Sequence, residues 1–488
     1  MAIHADTFYL NADTDGTLQH RIKRLVIDGI LSGRLRPGER MPSSRALAQQ
    51  LNVSRITVTI AYTDLVSDDY LVAKGRSGYF ISETAPSAPL FEILDASDQQ
   101  DPAWGRFLAH RPQPSSKIDR PVDWQRYPYP FIYGQADRKL FDLQSWRQCA
   151  LQALGSREFD TLTADHYERD DTKLVGYILR HILTRRGIAA RPNNILITMG
   201  AQNALWLSAQ LLLTQRRVAA TENPSYPGLK EILEQTRCHT VSVDLDAYGL
   251  PPHTLPDDVD VLFTTASHQC PTNVTMPLER RRELLAMAAE RGFVIIEDDY
   301  EFELTFRGAP SPSLKSLDRD GSVIYVGSFS KSLFPGLRLG YIVAPPTFIQ
   351  EARRLRATVL RHPPGLTQRT VVYFLSLGHY DAQINRMRKS FQRRRDAAQM
   401  AIENSSLEIA GYLDSGGSSF WMKAPDGINT KDLARKLHAR GVVIEPGNPF
   451  FADSEAPTPF YRLAYSSIPS ARIPAGIKII DEEIRALA

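Results

Sequence analysis

The chain has 488 residues, a length that predicts two or three domains rather than one. Its hydrophobic fraction of 43% suits globular cores, and no apolar run is long enough to cross a membrane as a helix. The net charge is only +3, but residues 17–81 hold ten Lys or Arg against five Asp or Glu, which favours a polyanionic partner for that segment.

The cysteines and the N-terminus bear on metal chemistry and on the cellular compartment. Cys149, Cys238 and Cys270 are too few and too scattered for a disulfide framework or a zinc site, and the eleven histidines include no HExxH pattern. The first residues, MAIHADTFYLNADTDG, lack the basic and apolar regions of a secretory signal. We therefore predict a cytoplasmic protein with no metal site and no membrane association.

The segment 17–81 has the pattern of a winged helix-turn-helix. Thr17, Ser43 and Ser54 each precede a run with apolar residues at helical spacing, so each is a predicted N-cap. The second and third runs are short and meet at a tight turn, as in a helix-turn-helix. Two short alternating runs follow, Leu71–Lys74 and Gly78–Ile81, and they predict a hairpin that would form the wing.

Basic and hydroxyl side chains on this segment are candidate DNA contacts. The start of a recognition helix reads base edges, so Arg55 is expected to meet a guanine, and Thr57 a phosphate or a thymine methyl group. Ser43, Arg45 and Arg76 are expected to contact phosphates. The alternative is a three-helix bundle that binds another protein, with solvated arginines.

The stretch PGERMPSSRALAQQLNVSRITVTIAYTDLVSDDYLVAKGRSGYFIS resembles the winged-helix domain of GntR-type bacterial regulators. In that family the arginine after P-S-S, the arginine after V-S and the wing glycine lie at the DNA. The resemblance thus implies DNA contacts for Arg45, Arg55 and Gly78. Residues 1–81 are predicted to form the DNA-binding domain, and residues 82–125, rich in proline, serine and charge, a linker.

From residue 126 to the C-terminus, apolar β-rich runs alternate with helical patterns. This alternation predicts an α/β domain with a mostly parallel sheet. The predicted strands are 195–198, 218–220, 259–263, 293–296, 323–326 and 341–343, with helices at 201–213 and 277–291 among them. Ligands bind such sheets at the carboxyl ends of the strands.

Candidate ligand residues follow three of these strands. Gly200, Ala201 and Gln202 open a helix, where backbone amides can hold an anion. Tyr226 follows the next strand and is a candidate to stack on a flat ring. Asp298 and Tyr300 follow 293–296, where a carboxylate can pair with a protonated pyridine nitrogen and a phenol with a ring hydroxyl.

The segment SVIYVGSFSKSLFPGLRLGYIV places Lys331 on a loop of small residues between two buried strands. Partial desolvation favours the neutral amine, which can form a Schiff base with an aldehyde. Arg338, Ser328 and Ser330 are suited to a phosphate. Together these groups suit pyridoxal 5'-phosphate. The alternative is a strand-loop-strand with a solvated lysine.

Arg462 lies in the apolar run Tyr461–Tyr465, and a buried arginine needs an anionic partner. That partner is either the carboxylate of a ligand or an internal acidic side chain. Structural alternatives also exist for Tyr226, as a core residue, and for Asp298, as a cap.

Six motifs, TMGAQNAL, ENPSYPG, SHQCPTN, IEDDYEFE, GSFSKSLFPGLRLGYI and GHYDAQINRMRKSFQRRRD, extend the resemblance over nearly the whole chain. The chain is therefore similar to the MocR (GabR-like) regulators, in which a GntR-type winged helix is joined to a fold-type-I aminotransferase-like domain. The resemblance implies a smaller C-terminal subdomain from about residue 380 and a head-to-tail homodimer.

By the same resemblance, Lys331 carries the cofactor as an imine and Asp298 pairs with its pyridine nitrogen. Tyr300 meets the ring oxygen, Tyr226 stacks, and Arg338 with the Gly200–Gln202 turn holds the phosphate. Arg462 would receive the acid group of an effector.

Two residues depart from the aminotransferase pattern. Asn273 stands where P-T-G has its glycine, and Cys270 stands where aminotransferases usually have asparagine. Both departures argue against efficient transamination more than against cofactor binding.

We therefore predict a transcriptional regulator that binds double-stranded DNA and senses a small amine, amino acid or aminosulfonate, when an effector imine replaces the Lys331 imine. The first alternative is a working aminotransferase with an appended DNA-binding domain. The second is a winged-helix protein whose α/β domain only dimerises.

Overall fold

The computed structural model describes residues 3–10, 16–86, 104–108, 118, 120–135, 137–165, 169–306, 311–411 and 416–487. The chain divides into two compact units, Met1–His110 and Arg111–Ala488. Most of the predicted linker, 82–125, lies outside the described residues. Among the described helices, none combines the length and the apolar character that crossing a bilayer requires.

The first unit is the predicted winged helix-turn-helix. Its elements are α1 (Leu18–Leu31), α2 (Ser44–Gln50), α3 (Arg55–Ser67), β1 (Leu71–Ala73) and β2 (Tyr79–Ile81). The side chains of Thr17, Ser43 and Ser54 accept hydrogen bonds from the amides three residues ahead, so all three predicted N-caps are present.

The core of this unit follows from helical spacing. Ile22, Val26 and Ile30 of α1 are buried at intervals of four residues, and they pack with the inner face of α3 in one apolar cluster. The hairpin β1–β2 pairs Leu71 with Ile81 in antiparallel register, and it forms the predicted wing.

The second unit begins with a short strand and a helical layer. Its elements up to the central strands are β3 (Tyr129–Pro130), α4 (Leu143–Ala153), α5 (Ser156–Thr163), α6 (Thr172–Tyr177), β4 (Ile195–Thr198), α7 (Ala201–Leu212), β5 (Val218–Asn223), α8 (Pro227–Thr236), β6 (His239–Asp244) and β7 (Val261–Thr264). The chain continues with α9 (Leu278–Arg291), β8 (Val294–Asp298), α10 (Leu314–Leu317), β9 (Val323–Ser328), β10 (Gly340–Val343), α11 (Pro346–Leu360) and α12 (Gly365–Ser376).

A seven-stranded sheet in the order β4-β10-β9-β8-β7-β5-β6 forms the centre of this unit. Only β10 runs antiparallel to its neighbours. The inner strands β7, β9 and β10 are buried along their whole length, because helices cover both faces of such a sheet. The predicted α/β fold with a mostly parallel sheet is confirmed, and the carboxyl ends of β4, β5, β7, β8 and β9 meet at one edge.

The C-terminal part has a smaller antiparallel sheet in the order β11-β12-β15-β14. Its elements are α13 (His379–Glu403), β11 (Glu408–Ile409), β12 (Ser419–Lys423), α14 (Thr430–Ala439), β13 (Val442–Val443), β14 (Glu445–Pro446), β15 (Phe460–Ala464) and α15 (Ile473–Leu487). β13 pairs instead with β3 in parallel. Arg462 lies on β15, directly opposite Glu445 of β14.

Replacing the α3 cap tests the local stability of the winged helix. Ser54→Ala removes the acceptor of the Thr57 amide, and the loss of such a cap costs about 1 kcal/mol. We expect amide hydrogen exchange in the first turns of α3 to become about fivefold faster. Ser67→Ala, in the last turn of the same helix, is the matched control. Equal exchange rates in the two variants would contradict a stabilising role for the cap.

Candidate functional site

The edge where the parallel strands end contains a cavity of about 230 Å³. Most residues proposed as ligand contacts from the sequence line it. They are Ala201, Gln202, Tyr226, Asp298, Tyr300, Ser328, Ser330, Lys331, Arg338 and Arg462. Gly200 is adjacent to this lining. Six further residues complete the wall: Ile118, Arg120, Tyr133, Cys270, Pro335 and Phe450.

Lys331 follows β9, and its amine lies against Tyr133 and Gly134. Its Nζ is 4.2 Å from the centre of the Tyr133 ring. A Cβ on Gly134 would lie 2.2 Å from Nζ, and the backbone there has a φ of +71°. Only glycine combines that conformation with so close an approach. Burial lowers the pKa of Lys331 to about 8, so roughly a tenth of the amine is neutral at pH 7, far more than for an exposed lysine.

Asp298 ends β8 beneath the same cavity. Its Oδ1 is buried and receives no hydrogen bond from the described residues. Burial and the neighbouring Asp299 raise the pKa of Asp298 to about 7. In the neighbouring Asp299, Oδ2 accepts from Arg186 at 2.6 Å and from the Tyr325 hydroxyl at 2.9 Å, while Oδ1 also lacks a partner among the described residues. Of the two carboxylates, Asp298 is the one that lines the cavity. The unsatisfied oxygen of Asp298 fits a cationic N–H donor from a ligand, such as a protonated pyridine nitrogen.

The start of α7 and Arg338 form an anion-binding corner. A Cβ built on Gly200 would lie 3.7 Å from both the Arg338 guanidinium and the Ser330 hydroxyl, so these three residues converge. No carboxylate of the described residues pairs with Arg338, whose side chain is exposed. A helix N-terminus beside an unpaired guanidinium suits a phosphate.

Tyr226 and Gln202 both line the cavity, and their side chains form a hydrogen bond with each other. The Tyr226 hydroxyl donates to Gln202 Oε1 at 2.6 Å. Gly228 permits this contact, because a Cβ there would lie 2.7 Å from both side chains. Tyr300 also lines the cavity, and burial raises its pKa well above the usual value, which keeps the phenol protonated.

Arg462 has the internal acidic partner that the sequence left as an alternative. Its Nε donates to Glu445 Oε2 at 2.7 Å. The guanidinium also lies 4.0 Å from the Tyr133 ring and 4.6 Å from the Phe450 ring. It nevertheless lines the cavity, so the ion pair and a ligand contact are compatible.

The two departures from the aminotransferase pattern have clear physical roles. Asn273 has a φ of +61°, a left-handed conformation that asparagine tolerates, and its Nδ2 donates to the Ser419 carbonyl at 2.6 Å. Cys270 is buried in the cavity wall, and burial raises the pKa of its thiol to about 11. Asparagine therefore preserves the backbone of this loop, while the cavity contains a neutral thiol.

Sequence reasoning missed Tyr133, Gly134, Arg120 and Glu445. They come from segments far from the Lys331 loop and carry no motif of their own. The only available signal was the rarity of a buried carboxylate such as Glu445, which requires a partner. Among the described residues, no cluster of three or more His, Cys, Asp or Glu side chains is arranged to bind a metal ion.

In residues 17–81, Lys and Arg side chains occur on α2, on α3 and at the wing, and also on α1 and in the loop that follows it. Arg45, Arg55 and Arg76 are exposed, and none has a carboxylate partner within the part of the chain that the structure describes. Arg55 Nε donates to Ser44 Oγ at 3.4 Å. Ile56, beside it at the start of α3, is 72% exposed. These positive and apolar groups suit a nucleic-acid surface.

The other three predicted DNA contacts have local structural roles as well. Ser43 caps α2 with its hydroxyl. The hydroxyls of Thr57 and Ser54 lie 2.7 Å apart and share a hydrogen bond. Gly78 has a φ of +96°, and a Cβ there would approach the Arg40 guanidinium at 3.7 Å. The Arg40 guanidinium therefore lies beside the wing, close to its basic side chains.

Two family models match the chain. The model for aminotransferase class I and II matches residues 134–480, and the model for the gntR family of bacterial regulatory proteins matches residues 18–81. The chain is 57% identical over 485 residues to the HTH-type transcriptional regulator TauR of Rhodobacter capsulatus, covering 99% of this chain and 100% of that protein.

A more distant relative and a solved structure agree with these matches. The chain is 29% identical to the probable rhizopine catabolism regulatory protein MocR of Rhizobium meliloti, over 98% of this chain and 96% of that protein. It is also similar to the α-aminoadipate aminotransferase LysN of Thermus thermophilus in complex with N-(5'-phosphopyridoxyl)-L-leucine. That likeness has a TM-score of 0.68 and 28% identity, over 75% of this chain and 94% of that one. Class I and II aminotransferases use pyridoxal phosphate.

The raised pKa of Asp298 can be tested through the pH dependence of the protein's stability. The folded chain binds more protons at Asp298 than the unfolded chain between about pH 4 and 7, so this residue contributes stability at low pH that is lost as the pH rises. In the ligand-free protein, we expect Asp298→Asn to lose less stability between pH 5 and 7.5 than the wild type, measured by denaturant midpoints. Asp257→Asn, at an exposed carboxylate, is the control, and an unchanged pH slope in Asp298→Asn would contradict the assignment.

Proposed function

This chain belongs to the MocR-type transcriptional regulators, in which a GntR-family DNA-binding domain precedes a class I and II aminotransferase domain, and we propose that its second unit senses a small amine through pyridoxal phosphate. The observation that carries this proposal is the convergence of three groups in one cavity. They are the Lys331 amine, the unsatisfied Asp298 carboxylate, and Arg338 beside the start of α7.

The residues of the cavity fit the cofactor part by part. Asp298 is suited to receive a pyridine N–H, and Tyr226 to lie against the ring, with Gln202 holding its hydroxyl. Arg338, Ser330 and the amides of Ala201 and Gln202 would hold the phosphate, with Gly200 leaving room for its approach and Ser328 fixing the Ser330 amide. Tyr300 would donate to the ring oxygen. When bound, pyridoxal phosphate supplies an aldehyde carbon that a primary amine can attack.

Lys331 and Arg462 define the proposed effector class. The Lys331 amine would attach to the cofactor and be released when an effector amine replaces it, while Arg462 would receive an acid group of that effector. A small molecule with a primary amine and a carboxylate or sulfonate meets both requirements. GABA-like amino acids, taurine-like sulfonates and diamino acids are candidates.

The regulatory output would depend on two arrangements of the protein with different effector affinities. Only that difference in affinity can shift the balance between them. We propose that the aminotransferase-like domain serves as a sensor with at most vestigial turnover. We also propose a head-to-tail homodimer acting in the cytoplasm, with the winged helices on an operator in double-stranded DNA.

The DNA-binding role is assigned to six residues. At the start of α3, Arg55 would meet a guanine and Thr57 a phosphate or a thymine methyl group. Ser43, Arg45 and Arg76 would meet phosphates, and Gly78 would lie at the DNA. The support is the exposure of Ser43 and of the three arginines, together with the absence of carboxylate partners for these arginines among the described residues.

Removal of the lysine amine tests cofactor attachment. After borohydride reduction of the purified protein, we expect mass spectrometry to find the phosphopyridoxyl group on the Lys331 peptide. Lys331→Ala should lose this adduct, whereas Lys230→Ala, at a lysine outside the cavity lining, should retain it. A reduced adduct on another lysine in Lys331→Ala would contradict the assignment.

Two arginine variants test the division of DNA contacts. On a fragment that the wild type selects from random DNA, Arg55→Ala should cost about 1–3 kcal/mol and relax base preference. Arg45→Ala should weaken binding to selected and scrambled DNA alike and reduce the salt slope by about 1. Arg34→Ala removes one charge elsewhere in the unit and is the control. Identical behaviour of the Arg55 and Arg45 variants in binding titrations would contradict this division.

A further inference from the structure

Glu445 is a buried carboxylate shared by two arginines. Arg462 Nε donates to its Oε2 at 2.7 Å, and Arg120 donates to its Oε1 from Nε at 2.6 Å. Arg120 Nη2 lies at 2.6 Å from the same oxygen. The Tyr133 amide adds a hydrogen bond to Oε1 at 3.3 Å. Burial alone would raise the pKa of Glu445, but Arg462 and Arg120 hold it below its usual value, so the group is ionised.

The charges at this place do not cancel. Two guanidinium groups share Glu445, which leaves one positive charge in this group of three. The buried Glu301 also interacts with Arg462, but burial raises its pKa and so favours its neutral form. The Tyr133 and Phe450 rings face Arg462 and attract it weakly, but they carry no net charge. Because a buried excess charge is costly, a bound anion at this place would be stabilised.

The two arginines differ in exposure and in the segment from which they come. The side chain of Arg462 is 4% exposed and lies on β15, whereas that of Arg120 is 29% exposed and comes from the segment that precedes β3. Both line the cavity that contains Lys331. If Arg120 turned from Glu445 to a ligand, the carboxylate would keep Arg462 and the Tyr133 amide as donors. Arg120 is therefore the guanidinium that can be released at the smaller cost.

We propose that Arg120 is a second acid-binding residue of the effector site, and that Arg120 and Arg462 together select amines that carry a full negative charge. This inference rests on the proposed function, since it assumes an amine effector in the cavity. Glu445 is the positioning residue, which aligns Arg462 and holds Arg120 at the wall until a ligand acid arrives. A purely structural Arg120 would instead anchor its own segment before β3 and would not distinguish charged from neutral ligands.

The test uses isosteric pairs of probes on the cofactor-loaded, full-length protein. One pair is 4-aminobutanoate and 4-aminobutanamide, and the other is 2-aminoethanesulfonate and 2-aminoethyl methyl sulfone. Calorimetric Kd values are measured for the wild type, Arg120→Ala, Arg120→Lys and Arg462→Ala. Arg126→Ala is the matched control, because Arg126 lies on the same segment, is 85% exposed and pairs only weakly with Asp123 at 3.9 Å.

We expect the wild type to prefer at least one acid over its neutral isostere. Arg120→Ala should weaken binding of that acid by about tenfold, which corresponds to about 1.4 kcal/mol, and leave the Kd of the neutral isostere unchanged. Arg120→Lys should recover part of the loss, because it restores the charge without the planar fork. Arg126→Ala should match the wild type.

The other outcomes separate this inference from the proposed function. If the wild type binds acids and their neutral isosteres with equal Kd values, the proposed effector class is wrong, and so is the role proposed for Arg120. If Arg462→Ala loses the preference while Arg120→Ala keeps it, only the role of Arg120 is wrong. Equal weakening of both members of a pair in Arg120→Ala would show that Arg120 is a structural anchor, and would also overturn the inference.

Discussion

The close packing of one lysine amine against a glycine is the constraint on which the cavity depends. Lys331 Nζ occupies the space where any side chain at residue 134 would begin, at 2.2 Å from a Cβ built there. Burial of the amine lowers its pKa to about 8. The lysine reaches that place because β9 ends at the edge where the other parallel strands end. The position of the amine therefore follows from the sheet topology, and the fraction of it in the neutral, nucleophilic form follows from its burial.

Local sequence patterns were sufficient to predict the fold and most of the cavity lining. Buried strands such as Val323–Ser328 are continuous apolar runs, and the residues after them lie at the ligand edge by the geometry of parallel sheets. The three N-caps of the winged helix are also local signals, since each requires one hydroxyl at a helix start. The strand His239–Asp244 was missed because it lies at the edge of the sheet, where a largely exposed pattern replaces the apolar run.

The remaining contacts depend on pairings between distant segments, which no local pattern encodes. Arg120 and Glu445 are 325 residues apart, and their hydrogen bond exists only because β14 pairs with β15 in a register that sets Glu445 against Arg462. A shift of one residue would turn these side chains to the opposite face of the sheet. From the sequence, Arg462 was therefore equally compatible with an internal acid and with a ligand acid. In the structure this internal acid is Glu445. Because Arg462 and Arg120 share it, Glu445 balances only one of their two positive charges.

The two ends of the proposed effector would meet different sheets. Lys331 follows a strand of the seven-stranded sheet, whereas Arg462 lies on the small antiparallel sheet. Asn273 already ties these parts together through its hydrogen bond to the Ser419 carbonyl. A ligand that engages both the amine site and the arginine adds a second link, and its binding energy then depends on how the two sheets are arranged. That dependence is what an effector needs in order to favour one arrangement over another. A neutral amine would lack the second link, because it would meet only the Lys331 side of the cavity. The acid-binding arginines would then determine both which ligands bind and whether binding can change the conformation of the protein.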